Sequence, residues 1–462
     1  MEWVVAMAIV APAVWLAFVH SSWLLDYAIL VLAFNRGVRR IVDYYFNGGF
    51  NPLSPISLTP LVVAGLLLGP AIIGFRTLSQ RSRVTIGFFA GAIFVALIVG
   101  ILLNRFAAIY GFAEWMSSLG ALAFAATQRA DMKTANRWIK TAGWAAMGVA
   151  AYGWWQYYTI PPWDGAWLVE SGMAGYMGQP EPTKMTVFST LQERGPCGTF
   201  LAWAVLPMIL DRRWRNIGGW LSVVLLLSAI VLTETRSNLI IIAVVATVYP
   251  ALSKGRGILR LLTLTAILVG AATWGLGRIP GIDRMTDRFG AESLYGEGSS
   301  LDARVETYQY GFAYVLKSPF GRGLGSSGMG RRLENDKIVT SGDSGYVQIL
   351  LQFGWLGAAL FFGGLWRIWA DLKVRSRVGT RLVGAGEIEP FVPATRAILL
   401  GTLIFLLVGD IFAGFSLIWV FFGRSISRNT DYLQMAKERI ARAMQLQNTA
   451  SEERSEGLSH KT

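Results

Sequence analysis

The chain lacks most of the side chains on which conventional active sites are built. A single cysteine, Cys197, excludes an intramolecular disulfide and any cysteine-rich metal site. The only two histidines are His20, in an apolar hairpin, and His460, in a polar tail. Neither is placed for zinc ligation or general-base work. There is no Walker A sequence, and no DxD pair of the kind a nucleotide-sugar enzyme uses to hold a divalent metal. Charged residues are scarce, at 15% of 462. The basic excess of 42 Lys and Arg over 29 acids does not call for a nucleic-acid partner, because it gathers in short connections between apolar runs. That is the pattern of cytoplasmic loops in membrane proteins.

What the chain has instead is hydrophobic length. Over half of it, 53%, is hydrophobic, with 18 Trp, and apolar runs of about 16–23 residues recur from end to end, enough to cross ~30 Å of hydrocarbon. The expected fold is an all-α polytopic membrane protein of about 11–13 transmembrane helices, with a large external loop carrying a surface helix. The N-terminal run lacks a basic leader and reads as a first span. Further spans are expected over 22–34, 57–75, 84–103, 107–127, 138–158, 197–210, 216–232, 237–252, 257–275 and 344–366, with a bent pair within 396–423. The chain then divides into N-terminal helices (1–158), an external loop (159–196), helices containing Arg236 (197–276), a large external loop (277–343), C-terminal helices (344–423) and a cytoplasmic tail (424–462) with a short amphipathic helix over 431–446.

Five basic connections set the orientation. They contain Arg76, Arg81 and Arg83; Arg129, Lys133, Arg137 and Lys140; Arg212, Arg213 and Arg215; Lys254, Arg256 and Arg260; and Lys373, Arg375, Arg377 and Arg381. Placing all five in the cytoplasm puts both long loops outside. Arg36, Arg39 and Arg40 then fall near the external side, against the charge rule. A re-entrant segment over 46–57, a miscounted span or a lipid phosphate contact would each account for them.

A few polar residues stand out against this apolar background. Arg236, in LTETRSNLIII, sits at a span mouth beside Glu234. It can snorkel to water, or its planar fork can receive a phosphate. Arg304 lies on the expected surface helix with Tyr308 one turn later, where it is either solvated or a second cation of the same site. Lys317 and Arg322 flank SPFG, and Arg194 closes the first long loop. Gly323, Gly325 and Gly328 have GxGxxG spacing, but no strand precedes them, so a tight turn is expected rather than a dinucleotide site. Asp343 and Ser344 head a span, where they can cap it. Asp343 can instead take a proton from a hydroxyl nucleophile. Trp and Tyr in 159–196 suit the membrane interface or stacking on sugar rings.

Taken in order, TVFSTLQERGPCGTFLAWAVLPMIL, LTETRSNLIIIA, LDARVETYQYGFAYVLKSPFGRGLGSSG and DSGYVQILLQFGWLGAALF resemble the C-terminal half of the O-antigen ligase/polymerase superfamily, over about 185–366. The resemblance implies a metal-independent glycosyltransferase needing no cofactor. Its donor would be an undecaprenyl-diphosphate-linked glycan at the outer face of the bacterial inner membrane, its acceptor another glycan, and a chain-length regulator a possible partner. The family's two arginines correspond to Arg236 and Arg304. Where its ligases carry a histidine this chain has Asp343, a departure that tilts the reading from ligase toward polymerase of O-antigen or exopolysaccharide. On that reading Arg236, Arg304 and Asp343 are catalytic, and Arg194, Tyr308, Lys317, Arg322 and Ser344 bind substrate. A transporter or flippase for the same lipid is the competing reading; the absence of a visible internal repeat counts against it.

Overall fold

In a computed structural model of the protein, the described residues are 1–128, 132–216, 218–253, 300–326, 344–382, 391–409 and 416–427, with the single positions 412, 441 and 445. The expected span at 257–275, the tail helix at 431–446 apart from positions 441 and 445, and Asp343 lie outside them. Among the described residues, helices pack without any strand, because in lipid each backbone N–H and C=O must find its partner within its own segment.

The N-terminal helices are α1 (Glu2–Phe18) and α2 (Trp23–Phe46), followed by a pair interrupted at Leu67, α3 (Thr59–Leu66) and α4 (Leu68–Gly74). Next come α5 (Gln80–Thr127), α6 (Met132–Thr159), α7 (Pro162–Glu170), α8 (Arg194–Leu210), α9 (Trp220–Leu232) and α10 (Arg236–Ser253). The last four are α11 (Ser300–Lys317), α12 (Gly345–Leu382), α13 (Phe391–Phe405) and α14 (Leu417–Ile426). Three described stretches are long and apolar enough to cross a bilayer: 55–77, 80–127 and 345–373, each containing an 18-residue window of mean hydropathy 2.2, 2.8 and 1.6 respectively. Six shorter apolar helices accompany them. The molecule is an all-α polytopic membrane protein.

Helix α5 is two helices. Arg105 adopts φ 45°, ψ −116°, and beyond it the chain doubles back. A Cβ on Gly100 would lie 3.1 Å from that of Ala108, and the Phe94 and Phe112 rings stand 6.0 Å apart. The two expected spans, 84–103 and 107–127, are therefore the arms of one tight hairpin. The surface helix is also where the sequence puts it, as α11.

Two ends of the bundle can be told apart. Arg137 pairs with Asp26 at 2.9 Å, and Trp214 packs on Phe391 at 5.0 Å, which gathers the starts of α2, α6 and α13 at the end of the basic connections. The opposite end holds the tip of the α5 hairpin, the starts of α8 and α10, α11 and the start of α12. Between them Phe361 meets Phe89, Trp115 and Phe412 edge-on at 5.0–5.6 Å, the favoured geometry for aromatic pairs.

Two of the three anomalous arginines, Arg39 and Arg40, find their partners inside the protein. Helix α2 simply continues to Phe46 and turns them into the protein. Arg40, 2% exposed, pairs with Asp164 at 2.6 Å and donates to the Leu191 and Ser189 carbonyls. Arg39 pairs with Asp43 at 3.3 Å. Charge neutralised inside the fold is exempt from a rule that acts on charged loops.

Candidate active site at the far end

The glycine run is the key to how the far end is built. Residues 319–326 lie between the tip of the α5 hairpin and a break in α12 at Gly354 (φ 63°, ψ −172°). The Leu324 amide donates to the Ala96 carbonyl at 2.9 Å, Arg322 to Leu351 at 2.6 Å, and Trp355 to Pro319 at 2.8 Å. The Asn104 amide spans the Arg322 and Leu324 carbonyls at 2.7 and 2.8 Å. Gly323 and Gly325 take φ 75° and 82°, and a Cβ on either would overlap the backbone of Gly100 or Ala107. Only glycine permits that approach. The described part of the run, 321–326, is the tight turn expected of it, largely buried and paired with helix backbone, while Gly328 lies outside the described residues.

This strap fixes α11. Val315 is buried against Val347 and Leu351, and the Trp355 indole donates to the Val315 carbonyl at 3.1 Å. Arg322 bonds the Tyr314 hydroxyl at 2.9 Å and lies over its ring. Burial pushes the Tyr314 phenol up, but Arg322 and Ser318 outweigh it and hold it below the usual tyrosine value. Tyr308 donates to the Leu407 carbonyl at 2.8 Å and stacks on Phe312. Lys317 is exposed in the last turn of α11. Arg304 lies on α11, and its side chain is outside the described set. The Ser344 hydroxyl accepts from the Val347 amide at 3.3 Å, so Ser344 itself caps α12.

Arg194 and Arg236 stand at the starts of two helices, α8 and α10, that pack against each other. Arg194 heads α8 and faces Glu234 at 3.9 Å, with Glu234 nearly sealed from solvent. Arg236 begins α10 two residues later, and Arg194 also covers the Tyr176 ring at 4.3 Å. The Thr233–Thr235 turn between α9 and α10 brings the two helices this close: a Cβ on Gly198 would overlap the Thr235 hydroxyl and the Asn238 amide. Gly401 of α13 faces Ile241 and Val245. Five residues further, about 7.5 Å along each antiparallel helix, Leu406 comes level with Arg236. The Leu406 carbonyl accepts from the Gly345 and Tyr346 amides. Arg236, Ser344 and Tyr308 therefore share one end of the bundle.

Sequence reading missed a second charged group at this end. Arg36 of α2 meets the Tyr110 phenol, with Glu114 and Glu193 close by, and Tyr110 in turn meets Glu114. Thr190 holds α2 there, donating to the Ala33 carbonyl at 2.6 Å while packing on Gly37. Among the described residues no cluster of His, Cys, Asp and Glu could hold a metal ion.

These features define a polytopic helical membrane protein with a charged site at one end. Residues 221–362, about a third of the chain, match the family model described as O-antigen ligase. The match supports the O-antigen ligase/polymerase superfamily for this stretch of the chain. That segment runs from α9 into α12 and includes Arg236, α11 and the strap; Arg194 and Arg36 precede it. A search of curated proteins returns no match.

Proposed function

We propose that the protein is a metal-independent polysaccharide polymerase that joins undecaprenyl-diphosphate-linked oligosaccharide units at the outer face of the bacterial inner membrane. The observation that supports the reading is the Arg194–Glu234 pair at the start of α8, two residues before Arg236 opens α10, at the end of the bundle opposite the basic connections. By the charge rule that end faces outward.

In the reaction, an acceptor hydroxyl attacks the donor's anomeric carbon. The bond from that carbon to the diphosphate oxygen breaks, and the electron pair leaves with the diphosphate. Negative charge accumulates on the leaving group, and guanidiniums already positioned in a low-dielectric site stabilise it best. Arg236 and Arg194 supply them, Arg304 on α11 joins them, and Asp343, at the head of α12, takes the hydroxyl proton.

The test is purified protein in proteoliposomes with the lipid-linked repeat unit, read as a ladder of product lengths. Arg236→Ala and Arg304→Ala should lose 100-fold or more of the rate, the order expected for removing one preorganised donor, while inserting normally. Ladders of wild-type length in both variants would defeat the assignment. Movement of the lipid across the bilayer without lengthening would make the protein a flippase.

A further inference from the structure

The charges at the far end form two groups of opposite sign. Around α8 and α10 stand Arg194, Arg236 and Glu234, with a formal excess of one positive charge. Around α2 and the returning arm of the α5 hairpin stand Arg36, Glu114 and Glu193 with the Tyr110 phenol, an excess of one negative charge. Glu193 and Arg194 are consecutive, so the groups abut. Resting on the function proposed above, we propose that they divide the substrate: the cationic group takes the lipid diphosphate, and the Arg36–Tyr110–Glu114–Glu193 group binds the hydroxyls of the acceptor saccharide.

The geometry supports the division. Arg36 lies ten residues before the end of α2, about 15 Å down the helix, within the apolar thickness of the bundle. Charge at such depth is costly and ordinarily faces a polar hollow. Arg36, Tyr110, Glu114, Glu193 and Arg194 all keep part of their surface open, whereas Gly37, Gly111, Trp115, Leu191 and Cys197 beside them are buried. A diphosphate would be repelled by two carboxylates around one guanidinium. Sugar hydroxyls both donate and accept, and a mixed set of carboxylate, phenol and guanidinium offers partners for both roles. The strap holds the Glu114 helix in place, since Gly111 packs against the Gly325 backbone.

The experiment uses the full protein in proteoliposomes with the lipid-linked repeat unit as donor and the free repeat oligosaccharide as acceptor. Undecaprenyl diphosphate binding is measured separately. Glu114→Gln and Glu193→Gln should raise the acceptor KM about 10- to 100-fold, as for loss of a hydrogen bond to a charged group, and leave undecaprenyl diphosphate affinity within two-fold. Tyr110→Phe keeps the charge and shape should a Glu variant fail to fold, and it should raise the same KM several-fold. Arg194→Ala should show the reverse pattern. An unchanged acceptor KM in all three, or equal loss of lipid-diphosphate affinity, overturns the division; so does an effect confined to proton- or cation-driven lipid movement. If the wild-type protein does not elongate, the polymerase reading fails by itself. Direct binding of the free oligosaccharide, weakened in Glu114→Gln or not, then decides the saccharide group.

Discussion

Replacing Arg40 with Met separates an arginine that holds the fold from those proposed to bind substrate. Arg40 and Asp164 are 124 residues apart in sequence and 2.6 Å apart in space, with their side chains 2% and 0% exposed. Asp164 also accepts from Tyr152 at 2.8 Å and Gln156 at 2.6 Å. The Arg40→Met change fills much of the same volume but strands a buried carboxylate and leaves the Ser189 and Leu191 carbonyls without their donor. Removing one partner of a buried pair costs ~3–5 kcal/mol, a shift of 100-fold or more in the folding equilibrium. The assay is thermal unfolding of detergent-solubilised protein, followed by size-exclusion chromatography. Arg40→Met should unfold well below wild type, and Arg40→Met with Asp164→Asn should recover a substantial part of the loss. A single variant as stable as wild type, or a double variant no better than the single, would refute the argument that Arg40 is a structural tie.

Other perturbations follow from the backbone. Gly325→Ala should destabilise by ~2–4 kcal/mol, combining left-handed strain with overpacking against Ala107, and thermal unfolding measures it. Gly65→Ala is its control: nothing lies within 4 Å of the added methyl, so stability should hold or rise by ~1 kcal/mol. Arg105→Gly, at φ 45°, should stabilise the hairpin by ~1 kcal/mol in the same assay, since glycine accepts that conformation without strain. A loss of stability would mean that the Arg105 side chain matters more than its backbone.

The all-α membrane fold and its three long apolar stretches were legible because hydrocarbon thickness sets a minimum length for a span, and α11 because Leu301, Val305, Tyr308 and Phe312 repeat at helical spacing. The arginines of α2 were not. Charge placement in sequence says which side a loop prefers, but Arg40 answers to Asp164 and the 189–191 carbonyls, whose proximity depends on tertiary packing. Ser344 was legible as a cap for a local reason, because its partner is three residues away. The glycine run was legible as a turn; its burial depended on Gly100 and Ala107, over 200 residues earlier. Arg194 was picked out for ending a loop, but its companion Glu234 lies 40 residues on and meets it only through the α9–α10 turn. Arg36 with Glu114 had no signal beyond being charged residues in apolar surroundings.

On the polymerase function proposed above, the glycine strap constrains how a growing polymer could leave. It bolts the surface helix to the α5 hairpin and to α12 through backbone groups that have no water to fall back on. Parting that seam would strand each of them at a cost of several kcal/mol. Any exit gate must therefore open elsewhere around the rim, leaving α11, the α5 tip and the head of α12 to travel as one block.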